Sequence, residues 1–186
     1  MADRAMTYSA IGLAAVATPL WAQEFYVGST FSSGNFTSEG LGFGGSSSAQ
    51  IQSIDVMGGV RMDVGSGYFL GAEIQGSYGT GYPAFDPEML ENNSITQAEV
   101  HFGYTAGSTK FFGFLGTGQT NIDRAPVISG ASNPAIVGLG AEFSVSDRAA
   151  IRLEAEFSTM SIEDACCGTY DPVKQQDISA GIVFSF

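Results

Sequence analysis

From Glu24 onward, apolar residues recur at every second position and the charges fall on the positions between them. Successive side chains of a strand point to opposite faces, so a period of two marks two-faced strands rather than helices. Around Ser53 to Met62, the residues Ile54, Val56, Gly58, Val60 and Met62 share one face, with Asp55, Met57, Gly59 and Arg61 on the other. Tyr68, Leu70, Ala72, Ile74, Gly76 and Tyr78 alternate with Phe69, Gly71, Glu73, Gln75 and Ser77. Ala98, Val100, Phe102, Tyr104 and Ala106 alternate with Gln97, Glu99, His101, Gly103 and Thr105. Three later segments repeat the scheme. Ala135, Val137, Leu139, Ala141, Phe143 and Val145 oppose Ile136, Gly138, Gly140, Glu142 and Ser144; Ile151, Leu153, Ala155, Phe157 and Thr159 oppose Arg152, Glu154, Glu156 and Ser158. The last is Ile178, Ala180, Ile182, Phe184 and Phe186 against Asp177, Ser179, Gly181, Val183 and Ser185. Glu24 to Phe31 and Lys110 to about Gln119 are less clean strands; Phe111 and Phe112 leave the faces of the second unassigned.

No charge occupies the apolar face of the six clean strands. An arginine or lysine facing lipid at mid-bilayer costs about 2–4 kcal/mol, and the pattern is what that penalty predicts. Mean hydropathy is +0.13 although no run approaches the roughly 18 apolar residues of a membrane-spanning helix. The chain's 186 residues suit one domain. A net charge of −12 excludes nucleic acid as a partner and peripheral binding to anionic lipid, both of which need a basic surface.

Short connections at Val64–Gly67, Gly107–Thr109 and Ser146–Arg148 alternate with long ones at about Ser32–Ser48, Tyr82–Asn93, Asn121–Asn133 and Glu163–Pro172. This rhythm predicts an all-β fold, an eight-stranded antiparallel up-and-down transmembrane β-barrel, with tight turns and both termini on the periplasmic side. Aromatics gather near the predicted strand ends, Phe25, Tyr68, Tyr104 and Phe143 at one level and Tyr78 and Phe157 at the other, as interfacial girdles do. A soluble lipocalin-type barrel would put its apolar face inside. Gly28, Gly59, Gly71, Gly103, Gly138, Gly140 and Gly181 on the polar face instead suit the narrow interior of a small membrane barrel. Arg4, the apolar stretch Ala10–Ala17 and Trp21-Ala22 read as a secretory leader, giving a signal peptide over 1–22 and a barrel over 23–186.

The last strand, Ile178, Ala180, Ile182, Phe184 and Phe186, resembles the C-terminal signal of bacterial outer-membrane proteins, in which alternate apolar residues lead to a terminal aromatic. Phe25-Tyr26-Val27-Gly28-Ser29 is similar to the first strand of many small barrels. The mature chain as a whole resembles the OmpA-like and opacity-type small outer-membrane barrels. That resemblance implies residence in outer-membrane lipid, insertion by the barrel assembly machinery, which recognises the terminal aromatic, and a monomeric state. It implies no cofactor, and a wall-anchoring role is not expected, because no peptidoglycan-binding domain follows the barrel.

The predicted inner face carries Asp55, Glu73, Glu99, Glu142, Glu154, Glu156 and Asp177 against Arg61 and Arg152, together with His101. Buried charges must pair or hydrate, so a salt-bridge plug is the expectation, with each arginine holding several carboxylates. The surplus of acids leaves a narrow cation-preferring passage or cation site as the alternative. Some small outer-membrane barrels hydrolyse lipid A with histidine, serine and glutamate. In the deacylase of that group the serine follows the histidine by two residues; here that position is Gly103, so no enzyme is expected. Gly40–Gly45 matches a glycine-rich nucleotide-binding pattern but precedes serines and a strand rather than a helix, and Asp86, Glu88 and Glu91 lack calcium-loop spacing. Neither set is read as a metal site. Cys166 and Cys167 are neighbours that cannot staple distant parts of the fold; a strained vicinal disulfide, free thiols and an intermolecular bridge all stay open. The expected protein is a structural or surface-exposed barrel whose long loops contact other molecules.

Overall fold

A computed structural model describes residues 23–39, 46–83, 92–124, 128–163 and 170–186. Among these, nine strands and no helix are present, and no helix is long and apolar enough to cross a membrane. The strands are β1 (Gln23–Glu39), β2 (Ser46–Gly65), β3 (Tyr68–Pro83), β4 (Asn92–Ala106), β5 (Thr109–Arg124), β6 (Ile128–Ser132), β7 (Ala135–Ser144), β8 (Ala149–Glu163) and β9 (Tyr170–Ser185). Chain neighbours pair antiparallel except β6 and β7, which both pair with β5; β1 pairs with β9, and the β4–β5 ladder completes the ring.

The ring has eight strand positions because β6 and β7 occupy one. Thr117↔Ala135 and Thr120↔Ser132 keep a single register against β5 across the break. The interruption falls at Asn133-Pro134, and Pro134 has no N–H to give the ladder. Its carbonyl is used instead, accepting the Thr117 hydroxyl at 3.0 Å.

Following partners around the ladders from Val27 leads through Gly58, Ile74, Ala98, Thr117, Ala135, Thr159 and Lys174 back to β1 at Thr37. The ring therefore closes with a shear of ten residues, which tilts the strands by roughly 40° and leaves a bore that side chains can fill.

The described turns at Gly65–Gly67, Gly107–Ser108 and Val145–Arg148 all lie at the same end as the termini. Gly65, Ser66 and Gly67 take φ of 98°, 56° and 81° in succession, and Asp63 Oδ1 accepts the Gly65 N–H at 2.6 Å. Two of those three positions carry glycine, which adopts positive φ without a steric penalty. Phe25 and Phe186 exchange backbone hydrogen bonds of 2.9 and 3.3 Å, holding the ends of β1 and β9 together.

The strands run well beyond the alternating segments. β1 continues from Phe31 to Glu39, and β2 begins at Ser46, inside the connection expected over Ser32–Ser48. Past Phe31 the sequence reads Ser32-Ser33-Gly34-Asn35, with no apolar period. The ladder of backbone hydrogen bonds needs no such period. Alternation is imposed only where one face meets an apolar medium, so it ends before the strand does.

Every outward position from Phe25 to Phe31 on β1, and the same band on the other strands, is apolar or small. Ile54, Ile74, Val100, Leu115, Leu139 and Ile178 are all exposed, Leu139 by 71%. Among the described residues no charge faces outward between the two aromatic levels. Tyr68 stacks on Phe102 at 5.9 Å and tilts against Tyr104 at 5.0 Å in the girdle nearest the turns. The leader assigned to 1–22, the Gly40–Gly45 run, Asp86, Glu88 and Glu91, and the Cys166-Cys167 pair lie outside the described residues.

Candidate functional site

The site is the lumen, and it is built in two tiers. Nearest the turns, Lys110 at the start of β5 donates to both Glu24 oxygens at 2.8 and 2.7 Å, and the Ser185 hydroxyl reaches Glu24 at 2.5 Å. Arg61 on β2 spans from Glu24, 3.4 Å away, to Glu142 on β7. Arg152 on β8 is wholly buried and is the hub of the tier. Its guanidinium lies 2.7 Å from Glu142, 2.7 Å from Glu73 and 3.3 Å from Glu154. Side chains from β3, β7 and β8 therefore meet at one guanidinium.

Aromatic rings fill the space between these charges. Tyr26 donates its hydroxyl to Glu73 at 2.7 Å, while the Arg61 guanidinium lies 4.0 Å from its ring centre and that of Arg152 lies 5.2 Å away. Each such contact, desolvated, stabilises by about 2 kcal/mol. Four lumenal aromatics sit directly across a ladder from a glycine: Tyr26↔Gly59, Phe69↔Gly103, Phe112↔Gly140 and Phe114↔Gly138. A β-carbon on Gly138 or Gly140 would run into the facing ring. The missing side chain makes room for a ring to lie flat on the opposite backbone. These pairs account for Gly59, Gly103, Gly138 and Gly140 on the inner face.

His101 on β4 is fully buried. Its ring stacks on Phe112 at 5.1 Å with an interplanar angle of 7°, and Nε2 lies 3.0 Å from Glu99 Oε2. It faces the lumen, away from the outward surface. Gly103, at the position where a lipid hydrolase would carry serine, lies under the Phe69 ring.

Away from the turns the chemistry changes. Asp55 accepts hydroxyls from Thr30 at 3.0 Å, Ser53 at 2.9 Å and Ser32. Asp177 accepts from Gln175, and Glu156 from Gln97 at 3.1 Å. Glu154 reaches this tier as well and accepts the Ser179 hydroxyl at 3.3 Å. Together they border a cavity of about 40 Å³, lined also by Gln75, Ser77, Gly79 and Ile95.

All ten residues expected on the inner face point into the lumen. The arginines bring together Glu73, Glu142 and Glu154; Glu99 pairs with His101; Asp55, Glu156 and Asp177 stand apart in the second tier, bonded to neutral groups. Sequence reasoning gave no lumenal role to Glu24, Lys110, Tyr26, Phe112 and Phe114. The β5 faces were recoverable from the hairpin. Residues directly opposite in an antiparallel pair share a face, so the two-residue turn at Gly107-Ser108 sets Tyr104 against Phe111, outward, and Gly103 against Phe112, inward. Of the residues that resemble a C-terminal signal, Ile178, Ile182, Phe184 and Phe186 are exposed on the outward side, and Ala180 lies on the same face.

No family model and no curated protein sequence matches this chain. Solved structures do. Neisserial surface protein A (NspA) superposes with a TM-score of 0.59 at 15% identity, over 87% of this chain and 97% of that one. Ail, the attachment invasion locus protein of Yersinia pestis, superposes with a TM-score of 0.54 at 10% identity, over 88% of this chain and 98% of its own. At such identities the likeness is one of architecture. This chain has the closed, all-antiparallel, eight-stranded barrel fold of NspA and Ail.

Proposed function

We propose that the chain is a surface-exposed outer-membrane barrel protein whose lumen is plugged and whose contacts with other molecules are made by the connections at the end away from its termini. The observation that carries this reading is the uncharged apolar belt between two aromatic girdles, around the whole circumference. In water such a belt would be a contiguous apolar surface far larger than monomers tolerate, whereas in lipid it is the required exterior. The barrel fold shared with Ail, itself described as an outer membrane protein, agrees with it.

In this reading residues 1–22 are a cleaved leader, and the assembly machinery recognises Ile178, Ala180, Ile182, Phe184 and Phe186. The barrel sits as a monomer with termini and tight turns in the periplasm. The lower tier is a plug, since Arg61, Arg152, Tyr26, Phe69, Phe112 and Phe114 fill the bore that ions would need. The protein does no lipid chemistry, as its one histidine faces inward against Phe112 and Glu99. The acid-lined cavity in the second tier favours a narrow cation passage as a second reading.

A test of placement inserts a protease site or epitope between Ala84 and Glu91 and another at the C-terminus. Intact cells should expose the first and not the second, which becomes accessible only on permeabilisation. Labelling of the C-terminal tag on intact cells, or fractionation of the protein away from outer membranes, would contradict the proposal.

A further inference from the structure

We propose that Glu73, Glu99 and His101 form a binding site for a first-row divalent transition metal at the boundary between the two tiers. One oxygen of each glutamate and one ring nitrogen of the histidine lie within 4.8 Å of one another, and all three side chains are buried. His101 Nε2 and Glu99 Oε2 are 3.0 Å apart. In a tetrahedral ion site with bonds of 2.0–2.1 Å, ligand atoms stand roughly 3.3 Å from each other, so this pair already has nearly the required spacing.

A second observation is independent of proximity. Glu73 divides its oxygens: Oε2 takes the Tyr26 hydroxyl and Arg152, each at 2.7 Å, while Oε1 is buried without a hydrogen-bond partner among the described residues. A buried carboxylate oxygen with no donor is costly, and a bound cation relieves that cost. The bonds to Oε2 are the outer support that a ligating carboxylate normally has. His101 is held in the same way, its ring plane fixed by the flat stack on Phe112, and its Nδ1 also lacks a partner among the described residues.

Charge points the same way. The inward acids Glu24, Asp55, Glu73, Glu99, Glu142, Glu154, Glu156 and Asp177 outnumber the inward cations Arg61, Lys110 and Arg152 by eight to three among the described residues. A divalent ion bound there would reduce that imbalance. Gln97 donates to Glu99 at 3.5 Å and to Glu156 at 3.1 Å, so one side chain links the site to the wall of the 40 Å³ cavity. An imidazole nitrogen with two carboxylates suits zinc, cobalt or manganese, whereas calcium and magnesium take all-oxygen sets. This site stands whether or not the barrel proves to be plugged.

The test titrates the full barrel, purified in detergent and stripped with chelator, first with Co²⁺ and then with Zn²⁺. The expected result is one ion per barrel, with visible Co²⁺ absorption bands that Zn²⁺ abolishes. His101→Gln and Glu99→Gln should each weaken uptake by more than about tenfold, the loss seen even for outer-shell groups. Asp177→Asn, in the cavity, should leave it unchanged. Folding of each variant is read from the mobility difference between unheated and boiled samples on a gel; if His101→Gln does not fold, Glu99→Gln decides the matter. Absence of saturable uptake, or uptake insensitive to both substitutions, overturns the proposal.

Discussion

The two tiers of the lumen bury acids by different means. Near the turns, Glu24, Glu73 and Glu142 are matched to Lys110, Arg61 and Arg152, and large rings occupy the remaining space. Farther up, Asp55, Glu156 and Asp177 face serine, threonine and glutamine, and a cavity is left between them. The lower tier couples strands that are not neighbours: Arg152 on β8 holds Glu73 on β3 across the bore, while Arg61 on β2 holds Glu142 on β7. In the upper tier the Asp55 and Asp177 bonds stay within a strand or pass to the next one, and the bond from Gln97 to Glu156 spans the bore. Ion pairs therefore brace the turn end across the bore, whereas at the other end an amide–carboxylate bond spans it beside a cavity.

The difference is breakable. Arg152→Met keeps much of the bulk but leaves Glu73 and Glu154 without a cationic partner among the described residues, and Glu142 with Arg61 alone. Removing one member of a buried pair costs about 3–5 kcal/mol. The midpoint of urea unfolding in detergent, followed by circular dichroism, should fall accordingly. Gly140→Val pushes a branched side chain into the Phe112 ring, and overpacking of this kind costs about 1–3 kcal/mol. The same titration should show a smaller fall. Asp177→Asn, in the upper tier, removes a carboxylate bonded to an amide; the midpoint should move by less than about 1 kcal/mol, with a gain as acceptable as a loss. A loss at Asp177 equal to that at Arg152 would erase the distinction between the tiers.

Much of this interior is legible in the sequence, and the reason is the difference in polarity between the two faces of each strand. Ile54, Val56 and Val60 stand outward and Asp55 and Arg61 inward, so the face of each inner charge follows directly from parity. Parity says which side a residue faces and nothing about which residue it meets across the bore. The Arg152–Glu73 and Arg61–Glu142 pairs depend on the shear of the closed ring, which no single strand encodes. The aromatic filling was hidden for a different reason. Phe111 and Phe112 are both apolar, so local alternation cannot separate them, and only the hairpin register does. Tyr26 was concealed because its ring is apolar while its hydroxyl and its π face serve Glu73 and Arg61.

If the cross-braced tier closes the bore, ions should not pass. Ion flux across liposomes carrying the purified barrel, under opposed cation and anion gradients, reads this directly. The wild-type chain should give no flux above protein-free liposomes, and a cation-preferring leak should appear when Arg152→Met is combined with Phe112→Ala. A steady cation-selective current through the unmodified barrel would contradict closure by the lower tier.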